Sequence, residues 1–154
     1  MDHLTGLADS SDFFAWLSGL PSDKRTSLVL FDVDDLRLLN ERHGVEQVDR
    51  MLVRLGSCIR ERRANGEVAA RVGGDEFALS LPEDDVSETV DEVEGIRRRF
   101  GDESGGITLS VWICDSATLR RGSESLSLYQ AAGDALAEAK KQRPAGLTIY
   151  RPRW

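Results

Sequence analysis

Apolar positions along the chain fall into two rhythms. Thr26 to Val33 is a short, mostly apolar run of strand length, the pattern of a strand buried on both faces. Val48, Met51, Leu52, Leu55 and Ile59 recur at spacings of three and four. That predicts an amphipathic helix ending near Arg63, with Asn65-Gly66 as its breaker. Val68 to Val72 and Phe77 to Leu81 read as two strands across Gly73-Gly74-Asp75-Glu76, a hairpin signature. Val86, Val90, Val93 and Phe100 trace a second amphipathic helix closing at Gly101. Ile107 to Cys114 is a fourth strand, rich in branched and aromatic residues. Leu128, Ala132, Ala135, Leu136 and Ala139 predict a third helix, and Leu147 to Tyr150 a terminal strand. A shorter leading helix carries Phe13, Phe14 and Leu17.

The order is therefore helix, β-α-β-β-α-β, then helix and strand. The central six elements are the split β-α-β, or ferredoxin-like, arrangement. The expected class is α+β, one domain over residues 1–154, with no repeat and no linker long enough to divide it. A right-handed crossover sets the first two strands parallel and inserts the third between them, antiparallel to both. The C-terminal end of the first strand then lies beside the start of the third. Asp32-Val33-Asp34-Asp35 sits at the first of these places and Asp75-Glu76 at the second.

Composition narrows the class without naming a function. Hydrophobic residues are 40% of the 154, which excludes disorder for most of the chain. Twenty basic residues against 27 acidic ones leave a net charge of −7, the wrong sign for broad nucleic-acid binding. The clusters Arg60-Glu61-Arg62-Arg63 and Arg97-Arg98-Arg99 read as solvated helix faces. No apolar run nears the ~20 residues that cross a bilayer, and the first residues lack a basic or apolar leader. Cys58 and Cys114 match no disulfide framework or zinc spacing. A reduced, cytoplasmic protein is the expectation.

Carboxylates at close range raise one another's pKa and cost stability, and a hard cation removes that cost. Mg²⁺ takes one or two carboxylates plus substrate phosphates, which suits the acids of Asp32-Val33-Asp34-Asp35 and Asp75-Glu76, and a pair of such ions suits in-line displacement at phosphorus. The alternative is that these acids are strand ends and caps, with Asp34 or Asp35 capping the following turn. Gly73 and Gly74 let the backbone adopt positive φ and approach a ligand closely.

Gly73-Gly74-Asp75-Glu76-Phe77 resembles the signature motif of the GGDEF domains, the diguanylate cyclases that join two GTP molecules into cyclic di-GMP. The resemblance extends to Asp2-His3-Leu4-Thr5-Gly6-Leu7, to Phe31-Asp32-Val33-Asp34, and to Asn40, Gly44 and Asp49. Thr108-Leu109-Ser110 resembles the family's Thr-x-Ser strand, and Ala135-Leu136 with Ala139-Lys140 its late helix. It implies a palm-like nucleotide-cyclase fold in which Asp32 and Asp75 ligate Mg²⁺ (or Mn²⁺) by side chain and Val33 by its backbone carbonyl. Asp75 would also take the proton from the attacking 3′-hydroxyl, beside Glu76 as a neighbouring acid. Asn40 and Asp49 would read guanine, whose N1 and N2 donors suit a carboxylate as adenine's edge does not. Gly73 and Gly74 would lie against the nucleotide, and Arg37 and Lys140 would neutralise the triphosphate. A two-fold product from one GTP per site implies a transient homodimer, arranged in this family by an attached sensory or dimerising domain.

The chain departs from the family pattern in places. Val45 stands where a histidine is usual, with His43 displaced; Val48 and Trp112 stand at usual glycines; Ala137 replaces a common tyrosine. Pro144 replaces a basic residue, with Arg143 adjacent. Val45, Trp112 and Pro144 favour a rival reading, a degenerate domain that binds GTP or a protein without turnover. A lone strand tryptophan is more often core than cleft wall. The family's Arg-x-x-Asp feedback site corresponds to Ala64 and Glu67, with Arg63 one residue out of place, so product feedback there is expected to be absent.

Overall fold

The computed structural model describes residues 1–21, 26–82, 86–115, 141 and 147–149. Its elements run α1 (Ser10–Ser18), β1 (Ser27–Val33), α2 (Leu36–His43), α3 (Val45–Arg60), β2 (Ala69–Arg71), β3 (Glu76–Leu81), α4 (Val86–Ser104), β4 (Leu109–Asp115) and β5 (Leu147–Ile149). The five strands form one sheet in the order β2-β3-β1-β4-β5. β1 is antiparallel to both β3 and β4, β2 is antiparallel to β3, and β5 is parallel to β4. The first two strands are thus parallel with the third between them, as the crossover rule requires.

Alternation along the strands builds two cores. Val29, Phe31 and Val33 of β1, Phe77 and Leu79 of β3, and Val111 and Ile113 of β4 meet Leu52, Leu55 and Ile59 of α3 and Val93, Ile96 and Phe100 of α4. The opposite face presents Leu28, Leu30, Ala70, Ala78 and Trp112 to Phe13 of α1. Every residue of β1 is consequently buried. Asp9 starts α1 with a capping box, accepting from the Asp12 amide while Asp12 accepts from its own.

Three local expectations are corrected. The segment after β1 carries its own helix, α2, which contributes no fully buried residue; only Leu36 and Leu39 pack partly against the core, too short a stripe to leave a periodic signal. Gly44, at φ 81° and ψ 158°, separates it from α3, and few other residues accept that backbone geometry. α3 ends at Arg60 rather than near Arg63. α4 runs through Gly101 to Ser104, where Glu103 bonds back to Arg99 one turn earlier. The predicted helix over Leu128 to Ala139 and the end of the terminal strand at Tyr150 lie outside the described residues. No helix among the described residues is long and apolar enough to cross a membrane.

Trp112 is 1% exposed and packs in the α1-facing core. Trp112→Ala is expected to lower unfolding free energy by about 3–5 kcal/mol, read as an earlier midpoint in urea. A midpoint within error of the wild type would remove the packing role.

Candidate functional site

The strand register assembles the acidic edge. Asp32 is paired with Glu76 on β3 and with Ser110 on β4, and the amide of Val33 donates to the carbonyl of Asp75 at 3.0 Å. Asp32, Asp75 and Glu76 each bring one carboxylate oxygen within 4.8 Å of the others. Asp32 is only 5% exposed, and Asp75 and Glu76 are half-buried. Three anions this close repel one another, and the arrangement suits a divalent cation with oxygen ligands. The side chain of Val33 lies in the core.

The hairpin differs from expectation in backbone geometry. Neither Gly73 nor Gly74 has positive φ. The amides of Val72 and Gly73 donate to the Glu76 carbonyl at 2.9 and 3.3 Å and close the turn. A Cβ on Gly73 would stand 3.2 Å from Glu76 Oε2, whereas one on Gly74 would meet nothing within 4 Å. The first glycine therefore makes room for the Glu76 side chain. The second leaves a bare stretch of backbone that a ligand can approach.

Two further contacts hold this edge in place. Arg71 donates from Nη2 to the Gly74 carbonyl at 2.7 Å and from Nη1 to Asp2 Oδ1 at 3.3 Å. Asp2 Oδ2 in turn accepts from the Thr5 amide and hydroxyl, at 2.8 and 2.6 Å, while Arg60 donates to the Thr5 carbonyl at 2.6 Å. The N-terminal turn is thereby tied to the hairpin. On the other side, Asp34 accepts from Thr108 Oγ1 at 2.8 Å and Ser110 Oγ at 2.6 Å. Its carboxylate makes no side-chain cap, and Asp35, at the cap position of α2, makes none either. The capping alternative for these acids is corrected. What the sequence offered was the Thr-x-Ser alternation, which sets two hydroxyls on one strand face, but their partner emerges only once β1 and β4 are in register.

Asn40 lies in the second half of α2 and Asp49 in the second turn of α3, both half-buried, on either side of Gly44. Arg37 reaches solvent, its side chain 95% exposed beside Glu41 at 3.4 Å. Lys140 lies outside the described residues, as do Ala137, Arg143 and Pro144. Val45 is exposed and Val48 is buried in the α3-facing core. Glu67 is interior, where its Oε2 accepts from Thr26 Oγ1 at 3.0 Å and Ser80 Oγ at 2.6 Å.

A split β-α-β sheet with three carboxylates gathered where its central strands meet defines the class, an α+β domain with an acidic site on the sheet edge. Residues 1–145 match the family described as "Diguanylate cyclase, GGDEF domain", and the chain belongs to that family. Among curated relatives it is 34% identical over 83 residues to the diguanylate cyclase DgcP of Escherichia coli, covering 51% of this chain and 24% of DgcP. It is 27% identical over 153 residues to the diguanylate cyclase VdcA of Vibrio cholerae, covering 90% of this chain and 43% of VdcA. The chain thus spans less than half the length of either. In fold it resembles the GGDEF domain of DgcB from Caulobacter crescentus, solved in complex with c-di-GMP: TM-score 0.83 at 24% identity, over 97% of this chain and 92% of that one. The active GGEEF domain of a diguanylate cyclase from Vibrio cholerae superposes with TM-score 0.75 at 24% identity, over 96% and 99% of the two chains.

Burial by itself would raise the Asp2 carboxyl, but the Thr5 hydroxyl and amide and the Arg71 guanidinium outweigh it and hold Asp2 below its ordinary value of 3.8. A depressed carboxyl stabilises the fold above its unfolded pKa and loses that contribution as pH falls through the folded one. Asp2→Ala is therefore expected to cost about 1–2 kcal/mol near neutrality. In urea titrations the gap from wild type should narrow as the pH drops below 3.8. A gap that is constant with pH would remove the ionic contribution.

Proposed function

We propose that the chain is a diguanylate cyclase domain that condenses two GTP into cyclic di-GMP with release of pyrophosphate. The observation that carries this reading is the convergence of Asp32, Asp75 and Glu76 at one edge of the sheet, in a chain of the GGDEF family. Asp32 and Asp75, with the Val33 carbonyl, would hold Mg²⁺ or Mn²⁺. Such an ion offsets triphosphate charge and makes the α-phosphorus easier to attack.

The chain's own residues do the rest. Asp75 takes the proton of the 3′-hydroxyl, with Glu76 beside it. Asn40 and Asp49 hydrogen-bond the guanine edge, while Gly73 and the unobstructed backbone at Gly74 lie along the nucleotide. Arg37, on the solvent side of α2, and Lys140 meet the phosphates. Each site presents one 3′-hydroxyl, so two copies meet transiently, face to face. Each 3′-oxygen bonds to the other GTP's α-phosphorus as the bond to the β-phosphate oxygen breaks, and pyrophosphate leaves twice. A sensory or dimerising domain upstream in the full-length, cytoplasmic protein would set how often they meet.

Incubation of the protein with GTP and Mg²⁺, with products resolved by chromatography, tests the reading. Cyclic di-GMP and pyrophosphate are expected, with Asp75→Asn slower by about a hundred-fold or more while keeping its melting temperature. Bound but unconverted GTP would instead support a degenerate, nucleotide-binding domain, and conversion of ATP would point to a different cyclase.

Feedback by product through the Arg-x-x-Asp surface is proposed to be absent. Glu67 is turned inward onto Thr26 and Ser80, and Ala64 offers no charge. Titration with cyclic di-GMP should give no tight binding at that surface. Saturable binding that disappears in the double variant Arg63→Ala, Glu67→Gln would overturn this.

A further inference from the structure

We propose that Asp34 is a positioning residue for the metal-binding end of β1, a role that rests on the function proposed above. Asp34 is charged yet 4% exposed. Both its carboxylate oxygens are occupied, Oδ2 by Thr108 Oγ1 and Oδ1 by Ser110 Oγ, and its amide donates to the Thr108 carbonyl at 3.0 Å. It stands outside the group of carboxylates that converge on one point. Its effect on that group is mechanical. The preceding residue, Val33, is bonded to Asp75 on the β3 side, so Asp34 supplies the matching hold on the β4 side.

Backbone conformation gives that hold a purpose. Asp35 sits at φ 57° and ψ 36°, a left-handed geometry that residues with a Cβ adopt seldom, aspartate more readily than most. Such a conformation persists where its surroundings over-determine it. With Asp34 clamped, the chain must turn sharply at Asp35, and the last residues of β1 cannot relax toward solvent. The Asp32 carboxylate is thereby kept beside Asp75 and Glu76.

The clamp can be told apart from a charge effect, because a hydroxyl can donate or accept. The amide of Asp34→Asn can keep both contacts with Thr108 and Ser110 without a charge, whereas Asp34→Ala keeps neither. Mn²⁺ binding should be titrated by paramagnetic resonance of the free ion, with a non-hydrolysable GTP analogue present and folding checked by circular dichroism. Asp34→Asn is expected within about three-fold of wild type, and Asp34→Ala weaker by roughly ten-fold or more. Thr108→Val, which deletes one contact and preserves shape, should fall between them and serves if Asp34→Ala does not fold. Wild-type Mn²⁺ affinity in folded Asp34→Ala or in Thr108→Val would overturn the positioning role. So would an Asp34→Asn protein that loses the ion as fully as Asp34→Ala, since charge would then be what matters. Wild-type protein that takes up no Mn²⁺ would overturn the metal site itself, and this role with it.

Discussion

The structure depends on β1 being hydrogen-bonded along both of its edges while buried on both of its faces. Antiparallel pairing with β3 and β4 satisfies its backbone groups, and the two cores exclude water from its sides. A strand held in this way has one register, because a slip of one residue would exchange its two sets of side chains. That register puts Asp32 opposite Glu76 and Ser110. The acidic edge is thus a consequence of how the apolar residues pack, and repulsion among the carboxylates is borne by the packing that fixes the register.

Two devices extend this rigidity past the last paired residues. Asp34 ties the end of β1 to Thr108 and Ser110, and Arg71 ties the hairpin to the N-terminal turn through Gly74 and Asp2. Both use charge-assisted hydrogen bonds, which are shorter and stronger than neutral ones. Both stand outside the acidic trio. A site of like charges gains most from supports that hold its backbone without adding to the charge at its centre.

Much of this was legible in the sequence, and the reasons it was or was not are physical. β1, β4 and the hairpin strands are visible because burial demands apolar runs, and their order alone placed Asp32-Val33-Asp34-Asp35 beside Asp75-Glu76. α2 was invisible because it fully buries no residue and sets only Leu36 and Leu39 partly against the core. The two glycines were expected to supply positive φ, yet their part is to leave space, beside Glu76 at Gly73 and open at Gly74; a sequence does not distinguish those uses. Glu67, which the resemblance sets at the position of a feedback acid, faces inward, and that depends on Thr26 and Ser80 arriving from distant parts of the chain.

Two of the departures from the family pattern lie in the core. Val48 and Trp112 are both buried, on opposite faces of the sheet. Trp112 pairs with Leu30, Leu30 with Ala78, and Ala78 with Ala70, so the large indole shares its cross-strand row with two alanines. A large side chain set among small ones in one row is how a core keeps its packing density. The next row on the same face is Glu76, Asp32 and Ser110. Because the indole is accommodated within its own row, the register carries through unchanged to the acidic edge. Trp112 therefore gives no structural ground for a degenerate site, and the case for turnover rests on the carboxylates one row away.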